Sequence, residues 1–247
     1  MYQRPQTFSL LPPVIKNLLI INGLAFFGTM TLGSTFGYDL NREWGLYLPF
    51  VSPHFNPGQI ITHMFLHGNF MHIFFNMFAL WMFGSPLENL WGSKRFLIFY
   101  IVTGLGAALC HSGVNLWEYY NAVSHLTPDQ LDLIKSEGQQ VLNSMQNYSN
   151  PDMGLVNLLL NTPTVGASGA VFGVLLGYGM TFPNTYIYVY FMIPIKAKYF
   201  VIIYGLIELF SGISNSASNI AHFAHVGGMV FGYFLIRHWQ RNQFRQF

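Results

Sequence analysis

The chain of 247 residues is strongly apolar and sparsely charged. Hydrophobic residues make up 52% and charged residues only 8%, against roughly a quarter charged in ordinary soluble domains, and the mean hydropathy is +0.36. These values exclude an ordinary soluble domain and predict an integral membrane protein in contact with the lipid bilayer. A formal net charge of +2 without a long basic run gives no reason to expect a nucleic acid partner.

Apolar runs predict six membrane-spanning helices, at about 14–33, 69–88, 93–112, 165–182, 197–214 and 219–237. Six spans leave room for no sizeable soluble domain, so residues 1–247 are expected to form one all-α membrane domain. An outer insertion at about 113–164 interrupts it. There, the Thr-Pro-Asp-Gln run at 127–130 has the form of a capping box and predicts an amphipathic helix to about Met145.

The basic residues favour a cytoplasmic N-terminus, because cytoplasmic loops carry an excess of lysine and arginine. With this orientation only Arg42 and Lys135 lie outside. The cytoplasmic set is Arg4, Lys16, Lys94, Arg95, Lys196, Lys198, Arg237, Arg241 and Arg245. The first apolar run lacks a convincing cleavage site and is expected to remain as a span. A bacterial inner membrane is the expected location.

Two ladders of glycines four residues apart lie in the fourth and sixth predicted spans. They are Gly169-x-x-x-Gly173-x-x-x-Gly177 and Gly228-x-x-x-Gly232. Small residues at this spacing let transmembrane helices approach closely. Ser168 stands just before the first ladder and His225 three residues before the second. Both spans run inward from the outer face, so parallel docking predicts that the two side chains meet at one depth.

Ser168 and His225 together suggest a serine protease. Ser168 follows Gly166 and opens a helix, where backbone N–H groups can bind a developing oxyanion. Serine is also a common packing residue in membrane helices, and only the pairing with His225 favours catalysis. Histidine can accept the serine proton and return it to the leaving amine. His222, nearer the outer surface, is interpreted as a packing or hydrogen-bonding residue.

Other polar residues in the spans are interpreted more simply. His72 and Asn76 share one helix face and suit an oxyanion hole, although a buried polar pair tying helices together is the alternative. No aspartate lies in a predicted span and no carboxylate lies near His225 in the sequence, so a two-residue dyad is expected. Glu208 receives no catalytic role, and Glu88 is expected to fix the turn after its span.

The sequence gives no support for a metal or another cofactor. The His-Glu-x-x-His pattern of zinc proteases is absent. A cluster of His63, His67 and His72 has no acidic or cysteine ligand to complete it. No cofactor and no metal are therefore expected.

The chain resembles the rhomboid family of intramembrane serine proteases. Its motifs are His67-Gly-Asn-Phe-Met-His72-Ile-Phe-Phe-Asn76, Gly166-Ala-Ser168-Gly169 and Ala224-His225-Val-Gly-Gly228-x-x-x-Gly232. The resemblance implies a six-helix bundle in which Ser168 is the nucleophile and His225 the base. It also implies that His72 and Asn76 support the oxyanion, and that Phe172 replaces an aromatic, commonly tyrosine, that packs on the histidine.

The implied reaction is cleavage of transmembrane protein substrates near the outer membrane boundary through an acyl-enzyme. One alternative is a non-catalytic relative that binds membrane helices, which the intact set of site residues disfavours. A second is a haem or metal protein that uses several of the histidines. These are His63, His67, His72, His222 and His225.

Overall fold

The computed structural model describes residues 8–189, 192–214 and 222–243, with side chains to 241. Its helices are α1 (Pro13–Phe36), α2 (Leu40–Trp44), α3 (Gln59–Thr62), α4 (Phe70–Trp91), α5 (Ser93–Val123), α6 (Pro128–Asn143), α7 (Pro151–Asn161), α8 (Ser168–Thr181), α9 (Ala197–Ser214) and α10 (His222–Gln243). A 3₁₀ turn covers His63–Phe65, and two strands are β1 (Tyr186–Val189) and β2 (Ile193–Lys196).

Four of the described helices are long and apolar enough to cross a membrane: α1, α4, α5 and α9. Helix α8 is apolar but has only 14 residues. Large apolar side chains lie exposed on the outside of the bundle, among them Leu24, Phe75 and Phe210. Exposed apolar surface on this scale needs a partner, and lipid supplies it because the protein is an integral membrane protein.

Helix α8 lies at the centre of the bundle. It packs against α4, α5, α9 and α10, and it is enclosed on most sides, with Ala170 and Val174 buried. The central core also contains aromatic side chains of α5, such as Phe96 and Tyr100. The residues at the start of α8 are therefore held by several neighbouring helices at once.

The start of α1 is fixed by a carboxylate from α4. Glu88 accepts hydrogen bonds from the backbone N–H groups of Val14 and Ile15, each 2.9 Å, and from the Ser93 hydroxyl at 2.6 Å. Helix N-termini leave backbone N–H groups without intrahelical partners, and a carboxylate there also complements the helix dipole. The expectation that Glu88 fixes the turn after α4 is confirmed, and the structure adds the cap on α1.

The predicted insertion is folded into helices. Helix α5 continues to Val123, beyond the predicted end of its span near residue 112, and α6 begins with the predicted capping box on Thr127 and Gln130. Helices α6 and α7 pack on the end of α5 around a second apolar core that includes Ile134 and Val156.

A short hairpin between α8 and α9 departs from the all-α expectation. Strands β1 and β2 pair antiparallel, with Tyr186 opposite Lys196 and Val189 opposite Ile193. The run Tyr-Ile-Tyr-Val at 186–189 is rich in the aromatic and β-branched residues that favour strands. The hairpin lies between the predicted spans at 165–182 and 197–214 and connects α8 to α9.

Candidate active site

The hydroxyl of Ser168 and the imidazole of His225 form a hydrogen bond. Ser168 is the first residue of α8, and His225 lies in the first turn of α10. The distance from Ser168 Oγ to His225 Nε2 is 2.9 Å. The hydroxyl donates when Nε2 is the unprotonated nitrogen, which is the arrangement that lets an imidazole accept a serine proton. The meeting that the glycine ladders predicted is thus present in the structure.

Glycines bring α8 and α10 close enough for this contact. A Cβ on Gly228 would overlap the carbonyl oxygen of Gly169, and a Cβ on Gly232 would lie 3.5 Å from the carbonyl oxygen of Gly173. Gly228 thus lies opposite Gly169 and Gly232 opposite Gly173, so the two helices run parallel. The third rung of the first ladder differs, because the nearest neighbours of Gly177 are side chains of α4 and α5.

A carboxylate completes the hydrogen-bonded chain. Oε2 of Glu208, in α9, lies 2.8 Å from Nδ1 of His225 and 2.7 Å from Nδ1 of His222. With Nδ1–H of His225 donating to Glu208, Nε2 is left free to accept from Ser168. The expectation of a two-residue dyad therefore needs correction. A buried carboxylate contacts His225 from a position 17 residues earlier in the chain.

The sequence contained one signal that Glu208 matters. An ionisable residue inside a span is a functional candidate by default, but Glu208 is distant from His225 in the sequence. Helix α9 brings Glu208 to His225 through tertiary packing. His222 has the hydrogen-bonding role that the sequence analysis gave it.

The ring of Phe172 covers one face of His225. The two ring centroids lie 4.1 Å apart and the planes are 8° from parallel. Phe172 follows Ser168 by one turn of α8, so the same helix supplies the hydroxyl and the stacking ring. Tyr204 of α9 packs on Phe172 in turn, with centroids 5.1 Å apart.

His72 and Gly166 lie next to Ser168. Nδ1 of His72 accepts a long hydrogen bond of 3.5 Å from the Gly68 N–H, so Nε2 is the protonated nitrogen. A Cβ on Gly166 would lie 2.8 Å from that Nε2 and 3.6 Å from Ser168 Oγ. Gly166 also has φ +134°, a conformation that only glycine adopts readily, so two constraints require glycine here.

Asn76 lies one turn beyond His72 on α4. Its side chain is buried, and its amide nitrogen has no hydrogen-bond partner in the described part of the chain. An unpartnered buried donor is unfavourable unless a function needs it. In the described part of the chain, the two residues predicted to share one helix face thus both keep a donor nitrogen for which no hydrogen bond to a protein acceptor is present.

The loop before α4 contains two buried histidines. Neither ring nitrogen of His67 has a partner among the described residues, and its ring meets that of His72 edge-on at 5.0 Å. Burial, and to a smaller extent the nearby His72, lower the pKa of His67 to about 3. Burial also lowers the pKa of His63, whose Nδ1 contacts the Gln59 carbonyl oxygen at 2.8 Å. Both rings are buried in the segment before α4, and the expectation that they brace it stays a prediction.

Comparison with known protein families identifies the family of this chain. The family model described as the Rhomboid domain matches residues 55–127 and 133–240, which contain every site residue named above. The chain belongs to the rhomboid family. Rhomboid relatives include proteins named as proteases, which fits the hydroxyl and imidazole at hydrogen-bond distance.

Three curated relatives are similar over most of this chain. "Rhomboid protease AarA" of Providencia stuartii is 28% identical over 178 residues, covering 68% of this chain and 51% of that protein. "Rhomboid protein 1, mitochondrial" of Saccharomyces cerevisiae is 26% identical, covering 70% and 39%. "Rhomboid protease GluP" of Bacillus subtilis is 25% identical, covering 71% and 25%. The chain spans about half or less of the length of these rhomboid relatives.

Proposed function

We propose that this rhomboid protein is an intramembrane serine endopeptidase that cleaves transmembrane protein substrates through an acyl-enzyme. The observation that carries the proposal is the hydrogen bond of 2.9 Å between Ser168 Oγ and His225 Nε2. A nucleophile, a base within hydrogen-bond reach and a third group that orients the base are the recurrent elements of covalent acyl transfer.

The reaction follows from the protonation states of the hydrogen-bonded residues Ser168, His225 and Glu208. Ser168 attacks the scissile carbonyl carbon while its proton passes to His225 Nε2. The resulting imidazolium gives that proton to the leaving amine as the peptide bond breaks. A water molecule then attacks the acyl carbon while His225 takes one of its protons, and the imidazolium gives that proton to Ser168 Oγ as the ester bond breaks. One cycle consumes one water and returns both side chains to their starting states.

The negative charge on the substrate oxygen requires donors that are already in place. The free N–H groups at the start of α8 are the first set. Nε2–H of His72 and the unpartnered amide of Asn76 are the second, as expected from the sequence. Donors that need no reorganisation contribute strongly in a water-poor site, and loss of one lowers turnover by about 10²- to 10³-fold.

We assign Glu208 as a positioning residue that acts through His225. Its carboxylate accepts from Nδ1–H and so keeps the proton off Nε2 in the resting state. It also stabilises the imidazolium that forms during attack. Glu208 does not touch the substrate. Its effect should therefore appear in the rate of the chemical step rather than in substrate binding.

We further propose that residues 1–247 form one membrane domain of six spans with a cytoplasmic N-terminus, in a bacterial inner membrane. Helix α8 has 14 residues, or about 21 Å at 1.5 Å per residue, against a hydrocarbon layer of about 30 Å. It is too short to cross alone, so Ser168 at its outer end lies below the membrane surface. Water then has to enter from outside, and a small cavity of about 20 Å³ beside Ser168 suffices for one molecule.

Cleavage at this depth restricts the substrate. The peptide bonds of a transmembrane helix are hydrogen-bonded internally and sterically hidden. The helix must unwind locally before Ser168 can reach a carbonyl carbon. Substrates with helix-weakening residues near the outer boundary are expected to be cut fastest.

The test is proteolysis of single-span substrates by purified protein, with the cut mapped by mass. Ser168→Ala should abolish both cleavage and labelling by a fluorophosphonate probe. Ser85→Ala is the matched control, because Ser85 is also a buried serine of an apolar helix but its hydroxyl has no partner among the described residues. Equal cleavage by wild type and Ser168→Ala would reject the assignment. Absence of both cleavage and labelling in wild type would favour a non-catalytic helix-binding protein.

A further inference from the structure

Three metal-ligating atoms converge at the outer end of α9 and α10. They are Oε2 of Glu208 and the Nδ1 atoms of His222 and His225, and all lie within 4.8 Å of one another. His222 and His225 are three residues apart, so they share one face of α10. In the described part of the chain, this is the one group of three or more such residues close enough to share an ion.

We propose that Glu208, His222 and His225 form a binding site for a divalent transition metal of the Zn²⁺ type, and that its occupation inhibits the protease. The inhibition, but not the binding, rests on the proposed function. Two imidazole nitrogens and one carboxylate oxygen are a donor set that zinc commonly takes, with a fourth position left for water. The expected absence of a metal was based on another cluster, His63, His67 and His72, which has no acidic ligand. Glu208 provides an acidic ligand for His222 and His225 instead.

Only a small adjustment separates the hydrogen-bonded cluster from a metal site. Oε2 lies 2.7 and 2.8 Å from the two nitrogens. Ligand atoms about 2.0–2.1 Å from a tetrahedral zinc ion lie roughly 3.3 Å apart. The two contacts of Oε2 thus have to lengthen by about half an ångström. The two nitrogens, which lie within 4.8 Å of each other, have to reach the same separation through side-chain rotation.

Inhibition follows from the tautomer of His225. In the hydrogen-bonded state Nδ1 carries the proton and Nε2 accepts from Ser168. A metal needs the lone pair of Nδ1, so the single proton of the neutral ring must reside on Nε2. Nε2–H then becomes a donor toward Ser168 Oγ and cannot accept its proton. The ring neither gains nor loses a proton overall, so a tautomer change alone removes the base.

The ion can reach the site from the aqueous side. His222 is in the first turn of α10, and its side chain is 13% exposed, compared with 8% for Glu208 and 11% for His225. In the proposed topology this end of α10 faces outward. Extracellular or periplasmic metal would therefore act without crossing the membrane.

Binding is tested without activity, on tag-free full-length Ser168→Ala protein treated with a chelator. Equilibrium dialysis with Zn²⁺ should give one ion per chain, and Co²⁺ should give the visible absorption of a tetrahedral site. His222→Gln and Glu208→Gln should each weaken binding by at least about tenfold. His125→Gln, a change at an exposed histidine, should leave it unchanged. Binding that survives loss of His222 or Glu208 would overturn the site.

Inhibition is tested on protein with Ser168 intact. Zn²⁺ should slow fluorophosphonate labelling at least tenfold, and a chelator should restore it. In His222→Gln the zinc concentration for half-inhibition, taken against that variant's own uninhibited rate, should rise at least tenfold. Stoichiometric binding with no slowing of labelling would overturn the inhibition. If wild type neither cleaves nor labels while dialysis still finds one zinc, the metal site stands and the proposed protease function fails.

Discussion

Two buried glutamates, Glu88 in α4 and Glu208 in α9, make opposite use of a carboxylate inside an apolar bundle. Their exposed fractions, taken over the whole residue, are 2% and 6%, so burial does not distinguish them. Glu88 accepts from two backbone N–H groups and a hydroxyl, none of which exchanges protons with a substrate. Glu208 accepts from two imidazoles. In a membrane helix bundle the partners of a buried carboxylate, rather than its depth, indicate whether it supports the fold or the chemistry.

The largest expected effect comes from changing each glutamate to glutamine. Glu208→Gln should lower kcat by about 10²- to 10⁴-fold with little change in KM, because an amide no longer holds the Nδ1–H tautomer of His225 or stabilises its imidazolium. Glu88→Gln should leave kcat per folded molecule nearly unchanged and lower the free energy of unfolding by about 1–3 kcal/mol, since it weakens the cap on α1. Steady-state cleavage and unfolding in detergent measure the two outcomes.

Glu208→Asp sharpens that result. Aspartate keeps the charge and should recover part of the lost kcat, and it should restore the wild-type pH dependence more fully than glutamine does. A structural role for Glu208 predicts the reverse pattern, in which both variants lose stability together and the pH profile of the folded fraction is unchanged. That pattern would remove the distinction between the two glutamates.

The second prediction concerns the helix contact on which Glu208 depends. Gly228→Ala inserts a methyl group where a Cβ overlaps the Gly169 carbonyl oxygen. Overpacking of this kind costs about 1–3 kcal/mol, and a shift of α10 lengthens the Ser168–His225 contact, so kcat should fall as well as stability. The Glu88 cap lies at the other end of the bundle and should be unaffected.

Gly113→Ala is the control for this contact, because a Cβ there meets nothing within 4 Å. It should leave cleavage unchanged and should not lower the free energy of unfolding, because alanine is favoured over glycine by up to about 1 kcal/mol at an exposed helix position. If Gly228→Ala behaves like Gly113→Ala in both measurements, close helix approach is not what brings the base to the hydroxyl.

The glycine ladders explain how much of the site could be predicted from the sequence. Gly169 and Gly228 mark faces that need a close neighbour, and a spacing of four residues fixes the face on each helix, so the meeting of Ser168 with His225 followed from local patterns alone. The predicted spans also match helices to within a few residues for α1, α4 and α9. Periodicity and hydropathy are local quantities, and they sufficed for local structure.

The Glu208 contact and the extension of α5 could not be predicted in the same way. The contact between Glu208 and His225 depends on where α9 crosses α10, which no spacing within either helix encodes. Helix α5 runs on to Val123 because its polar end packs against α7, whereas hydropathy predicted only the apolar part. Both features depend on tertiary packing between segments that are distant in sequence.

The third prediction tests the ring beside His225. Phe172→Tyr keeps the stacked ring and should retain activity within about twofold. Phe172→Ala removes it, and since a stacked aromatic pair contributes about 0.5–1.5 kcal/mol, kcat should fall roughly 2- to 10-fold. Cleavage assays on both variants measure this. A larger loss for tyrosine than for alanine would contradict a role based on stacking.

The smallest expected effect is a pH dependence of stability from the outer loop. His67 stays neutral in the folded protein because burial lowers its pKa to about 3, whereas in the unfolded chain it takes up a proton near its ordinary pKa of about 6.5. Between these values the unfolded state binds more protons, so stability must fall as the pH drops below about 6.5 and is fully present above it.

The loss between pH 7 and pH 6 should be about 0.7 kcal/mol for this one histidine, and His63 adds to it in the same direction because burial lowers its pKa too. Unfolding of wild type and His67→Phe across this range measures the slope, with His125→Gln at an exposed position as the control. A slope that His67→Phe leaves intact would show that His67 takes up its proton equally in the folded and the unfolded protein. Glu88→Gln should retain the wild-type slope, because that carboxylate makes no described hydrogen bond to this loop or to a histidine.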